Sequence, residues 1–337
     1  MSHGGPLVTV GVATYNGAST IRRTLESIQE QAYGNLEVLI YDDGSTDETP
    51  QICLDFVNRN PSWTFAPNPG EPGMIGNYRS LLERAQGTYF CFVDQDDCRE
   101  TTFISEAVAR LQAADSAVGF VSTIAVVWSP DESRSSPALM HLNRVPLQLQ
   151  SHRSVRRVAA MLRRYVDIWM YGVYRTGDMR RAFAAAPSTP IFPSVAILDL
   201  ILSGTVLTSA DPLIEYRAKG QARRTSVAED SVRIGRRLQS GTRTPYVVQQ
   251  AQEQARLAMS SPRLAPLNKA LCVILIAADL TSSVVARLSY RIAGRMDRPP
   301  SWAVADRLAE WLHPHDYIEF EVDPVQSGYL APDWRAH

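Results

Sequence analysis

An apolar run that stops at a cluster of carboxylates constrains this chain more than any other feature. Tyr89-Phe90-Cys91-Phe92-Val93 reads as a short buried strand, and Asp94-Gln95-Asp96-Asp97 follows it directly. Carboxylates packed together are costly unless a cation or another positive charge compensates them. The strand therefore ends here, at the edge of a sheet. In open α/β sheets that edge, outside the carboxyl ends of the strands, is where ligand crevices lie. Hard oxygen donors of this kind suit Mg²⁺ or Mn²⁺ bridging to phosphate oxygens. A solvated acidic turn is the alternative, and context has to decide between them.

That context is an alternation of strand and helix patterns. Val8-Thr9-Val10-Gly11-Val12-Ala13 is a β-rich run ending at the turn Asn16-Gly17. Ile21, Leu25 and Ile28 then share one helix face, with Ser19 as the expected N-cap. Leu36-Glu37-Val38-Leu39-Ile40-Tyr41 is a second strand that also ends in acids, Asp42 and Asp43. A helix carrying Ile52, Phe56 and Val57 follows, with Pro50 tolerated in its first turn. Trp63-Thr64-Phe65 reads as a third short strand, 67–73 as a loop, and a helix from about Ile75 buries Leu81, Leu82 and Ala85. Strands alternating with helices imply a mostly parallel sheet covered on both faces. In such a sheet the Asp42/Asp43 pair and the Asp94/Asp96/Asp97 cluster share one edge. Further on, a helix after Phe103 and a strand over 118–128 continue the pattern. The Ser- and Pro-rich stretch 129–146 reads as a loop, helical runs resume near Val155, and the chain after Tyr216 is largely helical.

Composition narrows the classes. With 337 residues, 45% hydrophobic and 20% charged, the chain suits one large globular domain or two smaller ones. A net charge of −1 gives no electrostatic argument for nucleic acid. The arginine pairs Arg156-Arg157, Arg163-Arg164 and Arg236-Arg237 read as solvated helix faces. Cys53, Cys91, Cys98 and Cys272 have no metal-ligand or paired spacing, which fits a reducing compartment. A strand expected from about Leu7, with no basic leader before it, argues against a signal peptide. The longest apolar run, 270–278, is only about half a membrane span and reads as a buried or interface helix. Peripheral contact with a membrane surface stays open.

Three blocks in order now carry a resemblance. Val10-Gly11-Val12-Ala13-Thr14-Tyr15-Asn16-Gly17, Asp42-Asp43-Gly44-Ser45-Thr46-Asp47 and Asp94-Gln95-Asp96-Asp97 resemble the family 2 glycosyltransferases of GT-A fold. Asn77, Leu81, Ala85, Gly87 and Tyr89 are similar to the segment that leads into that family's D-x-D motif. The resemblance covers about residues 7–220. It implies that the Thr14-Tyr15 backbone lines a nucleobase pocket and that Asp43 hydrogen-bonds the base. Asp42 is more often structural in the family. By the same resemblance Asp94 reaches the ribose or the metal, Asp96 ligates the metal that bridges two phosphates, and Asp97 shares that site. Arg79 is implied at the nucleotide, with an ordinary exposed helix arginine as the alternative. The chemistry explains the residue types. Breaking the bond from the anomeric carbon leaves charge on a diphosphate, which a divalent cation stabilises. The acceptor hydroxyl needs a base, and such enzymes usually invert the anomeric centre.

Two positions depart from the family pattern. Where relatives place the basic Asp, this chain has Pro193 and Ser194; Asp199, about one helical turn further, is the only acid in that stretch. It is either a displaced catalytic base or a buried aspartate paired inside the core. Beyond Tyr216-Arg217, many relatives carry a His where this chain has Lys219, a fixed cation that could meet the diphosphate directly. Trp169, Tyr171, Gly172, Tyr174 and Arg175 match the region where relatives meet their acceptor. Aromatic faces such as Trp169 and Tyr171 suit sugar rings, although core packing explains Trp169 equally.

These readings combine into an α/β fold of GT-A type. It has a mostly parallel mixed sheet flanked by helices over 1–220 (a nucleotide-sugar half over 1–100 and an acceptor half over 101–220). A mainly helical extension follows over 221–337. The expected activity is inverting, metal-assisted sugar transfer from a nucleoside-diphosphate sugar to a glycan, lipid-linked or small-molecule acceptor. The expected location is cytoplasmic or peripheral at the inner face of a membrane, and a homodimer through the C-terminal helices stays open. A sugar-phosphate nucleotidyltransferase would need a Gly-rich basic loop after the first strand, which Ala13-Thr14-Tyr15-Asn16-Gly17 lacks. A non-catalytic nucleotide-sugar binder or scaffold of the same fold is the competing class.

Overall fold

The computed structural model describes residues 4–114, 117–128, 138–164, 167–188, 191–217 and 246–293. The chain divides into two compact units, Met1–Leu275 and Ile276–His337. The first is built on one mixed sheet of nine strands.

Four parallel strands form its first half: β1 (Val8–Thr14), β2 (Leu36–Asp42), β3 (Trp63–Pro67) and β4 (Tyr89–Asp94). β1 is central, and Val8, Val10, Val12 and Thr9 are all buried, so both of its faces are covered. The second half contains β5 (Cys98–Arg99), β6 (Ala117–Trp128), β7 (Ala138–Asn143), β8 (Val173–Arg175) and β9 (Thr205–Arg217). β8 joins the halves, running antiparallel to both β4 and β6. β6 and β9 pair in parallel, and β5 pairs antiparallel with β9. The order is β3-β2-β1-β4-β8-β6-β9-β5, with β7 on β6.

The helices follow their apolar periods. α1 (Ile21–Gln29) buries Ile21, Leu25 and Ile28, and α2 (Thr49–Val57) buries Ile52, Cys53 and Phe56. α3 (Met74–Arg84) buries Tyr78, Leu81 and Leu82, and α4 (Phe103–Gln112) buries Phe103, Ile104, Ala107, Val108 and Leu111. α5 (Ser154–Arg164) and α6 (Thr176–Ala185) precede α7 (Phe192–Ser203), which is buried along almost its whole length. An aromatic chain ties β4 to these helices. Phe92 stacks on Phe183 at 5.3 Å between ring centroids, and Phe183 meets Phe192 edge-on at 4.4 Å. Beyond β9, α8 (Tyr246–Ser260) packs on α7, and α9 (Pro266–Ala293) follows. Among the described residues no helix is long and apolar enough to cross a membrane.

Three local expectations change. The N-cap of α1 is Thr20, not Ser19, and it makes no side-chain capping bond. Within the stretch expected as a loop, 138–143 is a strand, held by antiparallel pairing with β6; 129–137 lies outside the described residues. Arg157 is not on a solvated face. It is buried, donating from Nε to the Ile201 carbonyl at 2.5 Å and from Nη1 to that of Ser151 at 2.6 Å. Arg236 and Arg237 lie outside the described residues.

Gly87 sets how close β4 lies to β1. Its N–H donates to Thr9 Oγ1 at 2.8 Å, and a Cβ there would sit 2.5 Å from the Thr9 backbone nitrogen. Gly87→Ala is therefore expected to destabilise the fold by about 1–3 kcal/mol, the usual cost of overpacking, read as a lower urea midpoint at unchanged slope.

Candidate active site

Strand register brings the acidic blocks together. Thr14 pairs with Asp42, and Ala13 with Asp94, so the carboxyl ends of β1, β2 and β4 finish side by side. Strand order reverses between β1 and β4, the topological switch point at which open α/β sheets place their ligand crevice.

The first two blocks lace the loops that frame this crevice. Asp42 is buried and accepts from the backbone N–H groups of Gly44 and Ser45 and from the Ser45 hydroxyl. It closes the turn after β2 and has no face for a ligand. Asn16, at a positive φ of 47°, accepts from the Thr46 N–H at 2.8 Å, and its own N–H donates to Ser45 Oγ at 2.8 Å. Asp43 differs from its neighbour. It is half-buried, accepting from Asn68 Nδ2 at 3.0 Å and from the Gly73 N–H at 2.6 Å. Gly73 sits at φ 101°, which only glycine adopts easily. Two neutral donors on the loop before α3 thus fix the Asp43 carboxylate at the rim.

Gln95 and Tyr78 are residues that sequence reasoning missed. Gln95 Oε1 accepts from the Tyr15 N–H at 2.9 Å and from Thr14 Oγ1 at 2.7 Å, and its Nε2 donates to the Tyr15 carbonyl at 3.1 Å. Both backbone polar groups of Tyr15 are therefore occupied. What Tyr15 presents is its ring, 41% exposed. Gln95 stands at the variable position between two aspartates, so motif spacing gave no signal for it.

Asp94 is clamped by two phenols. Tyr78, from α3, donates to Oδ1, and Tyr171 donates to Oδ2 at 2.6 Å; the two hydroxyls are 3.3 Å apart. Burial above all, with the Asp94 charge next, raises both phenols well above their ordinary value, so they stay neutral donors. Asp96 is 6% exposed and Asp97 is fully buried. A buried guanidinium lies close by. Arg99 donates from Nη2 to the Phe92 carbonyl at 3.1 Å and lies over the Tyr171 ring at 5.9 Å. Its Nη1 donates to the Cys98 carbonyl at 3.0 Å, so these hydrogen bonds go to backbone carbonyls beside the acidic turn.

The other expected residues are dispersed. Trp169 is 1% exposed in the core, so it offers no face to a sugar ring; core packing, the alternative reading, describes it. Tyr171 does reach the crevice acids, as a donor to Asp94. Arg175 donates to the carbonyls of Ala117 and Leu111 and is scaffold. Arg79 donates to the Ala186 carbonyl at 3.0 Å and lies over the Phe192 ring at 5.8 Å, which binds α3 to the α6–α7 junction. Asp199 accepts from Arg181 Nε at 3.0 Å, and Arg181 also pairs with Asp178 and donates to Ser203 Oγ at 2.7 Å. Asp199 is part-buried and ion-paired between α6 and α7. Lys219 lies outside the described residues.

The donor chemistry of the acids fits a hard cation, since Mg²⁺ usually takes one or two protein carboxylates and completes its shell with phosphate and water. The full set Asp94, Asp96 and Asp97 does not fit. Among the described residues no three carboxylate, histidine or cysteine side chains converge on one point. A fully buried Asp97 gives no access from the crevice. Asp96 with Asp94 is the pair left at the strand end.

Residues 9–169 match the family described as Glycosyl transferase family 2. The chain is 36% identical over 104 residues to an Escherichia coli protein named UDP-Glc:alpha-D-GlcNAc-diphosphoundecaprenol beta-1,3-glucosyltransferase WfaP, covering 30% of this chain and 40% of that one. It is 32% identical over 114 residues to glycosyltransferase GlyA of Streptococcus pneumoniae serotype 4, covering 33% of this chain and 16% of that one. The matched stretches thus span less than half of either relative. Among solved structures, Staphylococcus aureus TarS 1-349 in complex with UDP-GlcNAc superposes with a TM-score of 0.57 at 17% identity, over 82% of this chain and 73% of that one. At that identity the likeness establishes a shared GT-A fold.

Gln95→Ala removes three hydrogen bonds at the end of β1 and is expected to cost about 1–3 kcal/mol in chemical unfolding. The phenols give a pH signature. Unfolded tyrosines ionise near 10 while Tyr78 and Tyr171 do not, so above about pH 10 the unfolded state holds fewer protons and stability falls. Tyr78→Phe should make that alkaline decline shallower in unfolding midpoints measured from pH 8 to 11.

Proposed function

We propose that this chain, whose residues 9–169 match glycosyl transferase family 2, transfers a sugar from a nucleoside-diphosphate sugar to an acceptor hydroxyl with inversion. The observation that carries this is the alignment of Thr14, Asp42 and Asp94 at one sheet edge, with Asp43 held at the rim by Asn68 and Gly73. Asp43 accepts a hydrogen bond from the base, and the exposed Tyr15 ring gives that base a face to stack on. Asp94 and Asp96 would hold Mg²⁺ or Mn²⁺, which supplies Lewis-acid stabilisation of the departing diphosphate. Tyr78 and Tyr171 keep the Asp94 carboxylate in one orientation.

In the transfer, the bond from the anomeric carbon to the diphosphate oxygen breaks and its electron pair leaves with the nucleotide. The acceptor oxygen attacks from the opposite face, and its proton passes to solvent water. Asp199 is assigned to packing, because its carboxylate already holds α6 to α7 through Arg181. The similarity to WfaP supports a UDP-hexose donor and a lipid-linked sugar acceptor as the first pair to try. A cytoplasmic location suits this chemistry and the four buried free thiols.

The pairing of Asp199 also favours a second reading, a nucleotide-sugar binder without turnover. Thermal shift with UDP-, GDP-, dTDP- and CDP-sugars, with and without Mn²⁺, followed by assay of sugar release, separates the two. The transferase reading expects one donor class to raise the melting temperature and to be slowly hydrolysed; stabilisation with no release in any condition selects the binder. No response to any donor would sink both. Asp96→Asn is expected to lower turnover by about 10²–10³-fold. Asp199→Asn should cost about 1 kcal/mol of stability and keep most of the turnover; loss of turnover with folding intact would return the base role to Asp199.

A further inference from the structure

An arginine-lined hollow beside an outward apolar helix face lies away from the acidic crevice. The hollow, about 810 Å³, is bounded by Arg153, Arg156 and Arg157 at the start of α5, by the α7–β9 junction, and by Arg263, Asn268 and Leu271. β9 runs parallel to β6 and begins beside Ala117, so Thr205 marks the amino-terminal edge of the sheet. The acids stand at the carboxyl-terminal edge. Arg153, Arg156 and Arg263 are exposed. Arg157 is buried, and the carbonyls of Ile201 and Ser151 fix its guanidinium at the wall. No carboxylate lines the hollow among the described residues.

The first turns of α9 reverse the usual arrangement of a surface helix. Cys272 in the helix, and Leu264 just before it, are buried. Leu267, Ala270, Leu271 and Ile274, spaced i, i+3, i+4 and i+7, share the outward face. Leu267 is 71% and Ile274 61% exposed. An outward face of this kind, free of charge and flanked by arginines, has the composition of a helix lying in a membrane interface. A second copy of the chain suits it less well. Two-fold association sets the same patch against itself, which would bring the two arginine groups together with no acid of the described residues lining the hollow between them.

We propose that this face docks on an anionic phospholipid surface, with Leu267, Leu271 and Ile274 entering the headgroup–acyl boundary and Arg153, Arg156 and Arg263 meeting lipid phosphates. The assignment does not depend on sugar transfer. It also predicts salt-sensitive binding, because juxtamembrane arginines act through a screened surface potential.

The test is co-sedimentation of the full chain with vesicles of phosphatidylcholine alone and of equal parts phosphatidylcholine and phosphatidylglycerol. Binding is expected only to the anionic vesicles and should fall in high salt. Arg153→Glu with Arg156→Glu and Arg263→Glu is expected to weaken it about a hundred-fold, roughly fivefold per arginine. Leu271→Glu with Ile274→Glu should abolish it, with circular dichroism and melting temperature unchanged because both side chains are exposed. Equal binding to both vesicle types, no binding to either, or insensitivity to both variants would overturn the proposal. So would a lipid-free mass that falls from dimer to monomer in Leu271→Glu with Ile274→Glu, since the face would then be a subunit interface.

Discussion

Everything at the crevice depends on the register of β1 with its two neighbours. Because Thr14 lies opposite Asp42 and Ala13 opposite Asp94, three strands end at the same height. A shift of one residue in either pairing would reverse which side chains face each layer of helices. Burial on both faces of β1 forbids that shift. Gly87 contributes at the far end, where only a missing side chain lets the start of β4 come so near to Thr9. The placement of acids at one edge thus follows from the packing of apolar residues many positions earlier.

Within that frame the acidic residues divide their work. Asp42 closes a turn, Asp97 is fully buried, and Asp199 pairs with an arginine between two helices. Asp43, Asp94 and Asp96 are the acids at this edge not assigned to a turn, to full burial or to an ion pair. Asp94 also joins the two halves of the sheet, since one of its clamping phenols comes from α3 and the other from the turn just before β8. A ligand that perturbs Asp94 therefore touches both halves at once. Arg99, buried against the Tyr171 ring, ties the strand after the acidic turn back to the Phe92 carbonyl of β4.

Much of the fold was legible in the sequence. Continuous β-rich apolar runs located β1, β2 and β4 to within a residue, and 3.6-residue spacing named the buried faces of α1, α2 and α3. The acidic blocks marked the functional edge because a strand cannot bury them. The less legible parts share a cause: they depend on partners distant in the chain. β7 is strand-like only through its pairing with β6. Trp169 and Tyr171 are two positions apart, yet one is core and the other a donor to Asp94. Arg156 and Arg157 read as one solvated pair, but Arg157 is held inward by two carbonyls.

The sequence by itself determined the alternation of strands and helices, the edge at which the acids gather and the resemblance to a family, because each rests on local pattern and short ordered blocks. Only the tertiary structure decided the employment of each polar side chain: Gln95 holding Tyr15, two tyrosines holding Asp94, Arg181 holding Asp199, and arginines grouped beside an outward apolar helix. The physical reason is that hydrogen bonds and ion pairs act over about 3 Å, and which groups come within that distance is set by long-range packing, which local pattern does not encode.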